Sequence, residues 1–376
     1  MFLICSYGDD SLAAMSEDFP PPAAPIKGRG ARTNASGRYE KERRAAFDDG
    51  WPQDEAQPRP QTVAQTDKAR TIISRNQSPD ISFDRSINTY RGCEHGCFYC
   101  YARPNHAYAG LSPGLDFETR LFVKADAAAL LEQELRKPGY RPAPIALGGV
   151  TDVYQPIERR YAVTRAVLET LARFLHPFTI VTKSQLVLRD LDIIAPMAAR
   201  NLAKVAISVT SLDASLSRRM EPRDAAPHRR IETIRMLSAA GVPVTVMVAP
   251  VIPTLNDPEL ERILEAAAGA GALGAGYVVL RLPLEIKELA REWFEAHAPD
   301  RARRILRILQ DMRGGKDYDA RWWMRQRGEG PFARLIADRF HRACRRLGLD
   351  AARTLALDVT QFRPPPRSGD QLDLLC

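Results

Sequence analysis

Six short apolar runs, "SINTYR", "APIALGG", "FTIVTKS", "KVAISVT", "PVTVMVAP" and "AGYVVLRLP", are each followed by a stretch with helical spacing. Strand-sized runs alternating with helices are the pattern of repeated β-α units on a parallel sheet, which leaves few other folds open. The spacing predicts helices over 126–136, 158–174, 189–199, 229–240, 258–268 and 284–297, with Gly241 closing the fourth as a C′ glycine. Six such units in tandem predict an α/β fold, a curled parallel sheet or partial (β/α)6 barrel of TIM type. Folds of this kind gather their chemistry on the loops at the C-terminal ends of the strands. The unusual residues fall there: a cysteine cluster after the first run, "GGVTDVYQPIE" after the second, "TKS", "SVTS" and "APVIPTLND" at the ends of the third, fourth and fifth.

The cluster "RGCEHGCFYC" places Cys93, Cys97 and Cys100 at C-x3-C-x2-C spacing, tight enough for one loop to wrap one metal centre. A structural zinc site closes with four ligands and would need His95, His106 or a remote cysteine. An electron-transfer iron–sulfur cluster also takes four thiolates. The chain's other cysteines, Cys5, Cys344 and Cys376, are isolated, which also argues against a disulfide framework. A cubane held by three thiolates keeps one iron open to a ligand, so both a zinc site and an open cluster fit the spacing.

With the aromatic Tyr99 just before the third cysteine, this loop after the first strand resembles the radical S-adenosylmethionine (SAM) superfamily. Within it, "GCEHGCFYCYARPNH", "TDVYQPIE", "VTKSQLVLRD", "ISVTSLD", "MEPRDAAPHRRI" and "VAPVIP" are similar to the spore photoproduct lyase group and its photolyase-like bacterial relatives. The resemblance implies a [4Fe-4S] cluster on Cys93, Cys97 and Cys100 whose open iron binds SAM, and reductive cleavage of SAM to a 5′-deoxyadenosyl radical. It carries cofactor contacts to Tyr99 beside adenine, Gly148 and Gly149 at the methionine amino group, Lys183 at the carboxylate, Ser208 near the ribose or carboxylate and Ala249 beneath adenine. It also implies a one-electron donor such as flavodoxin or ferredoxin. The lyase's hydrogen-donating cysteine falls at Gly149, which has no thiol, so the lyase reaction itself does not transfer and no catalytic residue is assigned.

Other readings stay double. Asp152, Tyr154, Gln155 and Glu158 around Pro156 are either site residues or helix-start chemistry. Arg223 and Arg230 either bind an anionic substrate or neutralise neighbouring acids.

Residues 1–65 are rich in Pro, Gly and charge and read as a disordered arm. The core is expected over 66–300, a helical basic extension over 301–358 and a flexible tail over 359–376. Residues 301–346 hold 13 Arg and one Lys against five acids, with Tyr318, Trp322, Trp323 and Phe340 interleaved. Arginine among aromatics can grip phosphates and stack bases, and the net charge of +8 agrees with a polyanionic partner; amphipathic helices with solvated arginine faces are the other reading. After "PPPRSG", Gln371-Leu372-Asp373-Leu374-Leu375 resembles the peptide by which bacterial polymerases and repair proteins dock on the sliding clamp, with Leu375 where Phe is commoner.

No apolar run is long enough to span a membrane and "MFLICSYGDD" lacks a basic leader, so a cytoplasmic protein without membrane attachment is expected. Two functions compete: a radical SAM enzyme acting on nucleic acid for modification or repair, and a non-catalytic module in which zinc or a closed cluster organises a basic, nucleic-acid-binding surface.

Overall fold

The apolar runs pair side by side, as their lack of a polar face requires. A computed structural model describes residues 26–41, 60–350 and 356–366. Its strands are β1 (Val63–Thr66), β2 (Ile73–Arg75), β3 (Arg85–Ile87), β4 (Tyr90–Arg91), β5 (Arg120–Val123), β6 (Ile145–Leu147), β7 (Phe178–Thr182), β8 (Ala203–Ser208), β9 (Val244–Val251) and β10 (Gly274–Val279). One sheet runs β10-β9-β8-β7-β6-β3-β2. All its neighbours are parallel except the β2–β3 hairpin pairing. Its six parallel strands match the six apolar runs to within one residue beyond either end. The sheet is open: β10 and β2 are its edges, and no closed barrel forms. A small second sheet, β1-β5-β4, stands beside the cysteine loop.

The helices between the strands are α1 (Asp116–Thr119), α2 (Ala127–Leu135), α3 (Glu158–Tyr161), α4 (Val163–Arg173), α5 (Leu191–Ala199), α6 (Ala214–Met220), α7 (Pro227–Ala239), α8 (Leu260–Gly269) and α9 (Ile286–His297). Their faces follow the period of the sequence: α4 buries Val163, Val167, Leu168 and Leu171. Ile145, Leu147, Phe178, Ile180, Val205, Ile207, Val244 and Val246 lie at most 1% exposed along the sheet. Each such burial contributes roughly 1.5–3 kcal/mol over leaving the side chain in water. The helix expected over 158–174 is broken at Ala162, whose left-handed φ of 50° ends α3 and opens α4. Glu158 supplies the reason: its carboxylate accepts from the Thr164 amide at 3.0 Å, so it caps α4.

Part of the stretch read as a disordered arm is packed. Residues 26–41 lie as a strap against the cysteine loop, with Ala31 buried. The strap has no apolar period; backbone chemistry holds it. The Glu118 carboxylate accepts from Gly30 N at 3.0 Å and Ala31 N at 2.8 Å, and Arg29 Nη1 donates to the Glu118 carbonyl at 2.9 Å. The remaining arm positions, 1–25 and 42–59, are outside the described residues.

After α9 come α10 (Pro299–Asp311), α11 (Met324–Arg327) and α12 (Gly330–Leu347). α10 buries Ala302, Ile305 and Leu309, and α12 buries Ile336, Phe340 and Cys344. Arg303, Arg304, Arg307, Arg342 and Arg345 are exposed. Phe340 therefore departs from the base-stacking expectation: its ring packs 4.6 Å from that of Tyr277. Residues 356–366 of the expected flexible tail return to the core, where Phe362 lies 5.4 Å from both Tyr140 and His176. The peptide Gln371–Leu375 is outside the described residues. No described helix is long and apolar enough to cross a membrane.

Candidate active site

The cysteine loop leaves β4 and is held from three sides before any ligand is considered. Gln155 accepts from Glu94 N at 2.8 Å and donates to Gly92 O at 3.3 Å, tying the loop to the segment after β6. Arg103, fully buried, donates to the carbonyls of Cys97 at 2.8 Å, Pro113 at 3.0 Å and Gly114 at 2.9 Å, and pairs with Glu118. The strap closes the third side, where a Cβ on Gly30 would fall 1.6 Å from Gly96 O. Cys93, Cys97 and Cys100 are free thiols, the first two buried and the third half-buried. Burial pushes the Cys97 and Cys100 thiols up. Such thiols stay protonated until a metal displaces the proton. Three soft donors on one braced loop fit a metal–sulfur centre.

Beside this loop lies a nest of buried charge. Lys183 follows β7, and its ammonium sits 5.8 Å from the Tyr99 ring centre. Burial opposes its charge, but Cys97, Glu221, Asp224 and Asp152 outweigh burial and hold its pKa above the ordinary lysine value. No described carboxylate comes within 4.0 Å of Lys183 Nζ, so the ammonium is surrounded by acids without being bonded to one. Tyr99 donates its hydroxyl to Glu221, which also pairs with Arg230. Arg230 Nη1 reaches the carbonyl of Ser208, at the end of β8, at 3.2 Å. Asp152 accepts from Lys183 N at 2.9 Å, Thr182 Oγ1 at 2.7 Å and Tyr154 N at 2.9 Å. His95 Nδ1 lies 3.4 Å from Asp152 and 3.1 Å from Asp224. Burial disfavours the imidazolium, but the two carboxylates outweigh it and raise the His95 pKa well above its ordinary value. Asp224 also accepts the Cys97 S–H at 3.6 Å.

The candidate cofactor positions thus divide. Tyr99, Lys183 and Ser208 come together around Glu221 and Arg230. Gly148 and Gly149 end β6 on the other side of the loop, where Tyr101, the residue after Cys100, donates to Gly149 O. Ala249 is half-buried on β9, two positions past the partner of Ser208 in the strand register and just before the cis peptide to Pro250. The glycines differ. Gly148 has φ of 95° and its Cβ would meet Val181 O at 2.4 Å, so a side chain is excluded; at Gly149 the nearest atoms are Ser86 Cβ and Oγ at 3.6 Å, an ordinary contact. A Cβ at Gly149 would therefore fit, whereas one at Gly148 would not.

Both open readings of the arginines close on neutralisation, since Arg230 pairs with Glu221 and Arg223 Nη1 lies 3.0 Å from Glu94. His106 takes no part in the nest; its ring packs 5.6 Å from Phe117. Sequence reasoning missed Glu118, which lies in no quoted motif, and gave no role to Arg103, although it stands within "GCEHGCFYCYARPNH". It also passed over Glu221 and Asp224, although "MEPRD" was in view; the signal was two acids framing an arginine at the end of a helix.

A family model described as the radical SAM superfamily matches residues 87–267. An uncharacterized protein of Mycobacterium tuberculosis is 41% identical over 216 residues, 57% of this chain and 62% of that protein. The alignment thus spans less than two thirds of that relative. An uncharacterized protein of Methanocaldococcus jannaschii is 28% identical over 192 residues, 51% of this chain and 69% of that one. Among solved structures, spore photoproduct lyase complexed with dinucleoside spore photoproduct superposes with a TM-score of 0.55 at 16% identity, over 76% of this chain and 79% of the lyase. At that identity the likeness is one of fold.

Proposed function

We propose, from the premise that residues 87–267 form a domain of the radical SAM superfamily, that the chain binds a [4Fe-4S] cluster on Cys93, Cys97 and Cys100 and cleaves SAM there. Bound in that loop, such a cluster supplies one electron to the SAM sulfonium, releasing methionine and a 5′-deoxyadenosyl radical. The observation that carries the reading is Lys183, a half-buried ammonium beside the thiol loop and the Tyr99 ring, with no described carboxylate within bonding distance. An ammonium that is half-shielded from water and bonded to no described acid is a point charge free to take an incoming carboxylate. The SAM carboxylate pairs with Lys183, and the backbone at Gly148 and Gly149 approaches its amino group. Tyr99, fixed by Glu221 and Arg230, presents its ring to the adenine, with Ala249 beneath the adenine and Ser208 near the ribose or carboxylate. His95 and Asp152 hold the loop end of this cradle in one geometry.

The substrate we propose is nucleic acid, in modification or repair. Support comes from the basic C-terminal extension and from a fold shared with a lyase whose structure holds a dinucleoside photoproduct. Gly149 argues against a thiol as hydrogen donor at that position. We further place the enzyme in the cytoplasm with a flavodoxin or ferredoxin as electron donor, and recruitment by the sliding clamp through Gln371–Leu375 belongs to the same reading; loss of clamp binding on deleting 371–376 tests it.

The direct test is anaerobic reconstitution with iron and sulfide, reduction in the presence of SAM, and assay of 5′-deoxyadenosine with a Cys97→Ala control. Deoxyadenosine from the wild type alone supports the reading. Zinc in the purified protein with SAM left intact would instead favour the non-catalytic metal-organised module.

A further inference from the structure

The two exposed tryptophans that precede α11 are held in a backbone shape no bulky residue adopts without cause. Trp323 has φ of 69° and ψ of −47°, and Met324 N donates to Trp322 O at 2.8 Å, which together make a γ-turn of positive φ. This turn is rare and strained, and such residues persist only where their surroundings over-determine them. Here Asp80, on the loop after β2, does so. Its side chain is 1% exposed; it accepts from Trp323 N at 3.1 Å and Arg325 Nε at 2.7 Å and pairs with Arg325 a second time, while Gln326 Nε2 donates to the Asp80 carbonyl at 3.0 Å. The result of that bracing is display: Trp322 is 54% and Trp323 59% exposed, although indole is costly to leave in water.

The turn stands by the mouth of the candidate site. Arg281, just past β10, lies over the Tyr101 ring at 4.2 Å, and Tyr101 follows Cys100 directly and bonds to Gly149 O. The charges of Arg281 and Arg325 both bear on the Tyr101 phenol. A line of neighbours therefore runs from the third cysteine through Tyr101 and Arg281 to β10, against which α11 packs, with Arg327 over the Tyr277 ring at 5.5 Å. Lys316, Arg321, Arg325 and Arg327 lie close to the two indoles in the chain, against Asp317, Asp319, Glu329 and the Asp80 that pairs with Arg325; Arg321 pairs with Asp319, which leaves Lys316 and Arg327 without an acid bonded to them among the described residues. Rigid exposed rings set among cations are how nucleic-acid proteins hold an unpaired base and its phosphates.

The geometry points to Trp322 and Trp323 as a stacking platform for an unpaired nucleobase, holding a strand at the mouth of the site. This rests on the nucleic-acid reading above and deepens it by naming the element that grips the strand.

The test measures fluorescence anisotropy of labelled mixed-sequence 12-mers, as single-stranded DNA, single-stranded RNA and DNA duplex, with the full reconstituted chain over a salt series. Stacking worth ~1–3 kcal/mol per base predicts that Trp322→Ala and Trp323→Ala each weaken single-strand binding by about 5- to 150-fold. The slope of log affinity against log salt stays at the wild-type value, since stacking releases no counterions. Trp323→Phe restores most of the loss, a rescue that separates stacking from misfolding. The stronger of the two single-stranded probes identifies the sugar. Unchanged binding in the double alanine variant overturns the inference, and so does a wild type that prefers duplex, whose paired bases offer no free face. Deoxyadenosine release by the wild type is followed in parallel. SAM cleavage without oligonucleotide binding sinks this inference and the nucleic-acid substrate but leaves the radical reading standing; tryptophan-dependent binding without SAM cleavage does the reverse.

Discussion

The nest beside the cysteine loop and the outer faces of α10 and α12 are both written in arginine, lysine and acid, yet they hold charge in opposite ways. Glu221 and Arg230 are 2% and 1% exposed and bonded to each other, whereas the side chains of Arg346 and Glu265, which also pair, are 60% and 45% exposed. In the nest each charge is fixed by its neighbours and cannot be removed alone. On the helices most are fixed by water, Arg339 with its bonds to Glu261 and Asp257 being an exception, and the apolar stripe beneath decides the packing. Charge density read from sequence does not separate the two; burial does.

The contrast can be broken or sharpened by measurement. The largest expected effect is Cys97→Ala, which removes one of three thiols from the loop and drops bound iron and deoxyadenosine formation to background, while Arg346→Ala leaves both unchanged. Next is Arg230→Ala. It strands the Glu221 carboxylate in the interior and is expected to destabilise by roughly 3–5 kcal/mol, read by urea unfolding. Replacing both, as Arg230→Met with Glu221→Leu, recovers much of that loss, because the interior then holds no lone charge.

Lys183→Met comes third. Loss of a charge-assisted contact of about 1.5–3 kcal/mol raises the SAM concentration needed for half-maximal cleavage some 10- to 150-fold. A loss confined to stability, with SAM affinity unchanged, would remove Lys183 from the cradle. A smaller effect comes from two buried histidines outside the nest. Burial pushes His106 and His176 down to about 4. Both are neutral in the fold and take up protons more readily when unfolded, so their contribution is complete above the unfolded value near 6.5 and declines as pH falls from there toward 4. Between pH 7 and pH 6 this costs about 1.4 kcal/mol in all, and His176→Gln should flatten the profile. Smallest is Arg304→Gln on α10, expected to stay within about 0.5 kcal/mol of wild type. A larger change there would mean that the helix faces are not simply solvated.

Much of the sheet was legible because apolar runs and helical periods act locally: the six parallel strands start within a residue of the runs that predicted them. The cysteine loop was legible because three thiols in eight positions have few uses. What was not legible is what acts at long range through single hydrogen bonds. Glu118 reads as an ordinary helix acid, yet it binds two strap amides and Arg103; Asp80 reads as a turn residue, yet it pins Trp323. Phe340 and the tryptophans look alike as aromatics among arginines, and only their placement tells packing from display.

The contact of Gly30 with Gly96 has a consequence for how such a domain can be inherited. The family match begins at residue 87, but the loop inside it is closed by a backbone that lies before that boundary, at a point with no room for a Cβ on Gly30. The span that the family model matches is therefore smaller than the unit that folds. A recombination that swapped residues 87–267 into another leader would bring an arbitrary residue against Gly96, and anything but glycine would push the loop away from its thiol geometry. The two stretches can be exchanged only together.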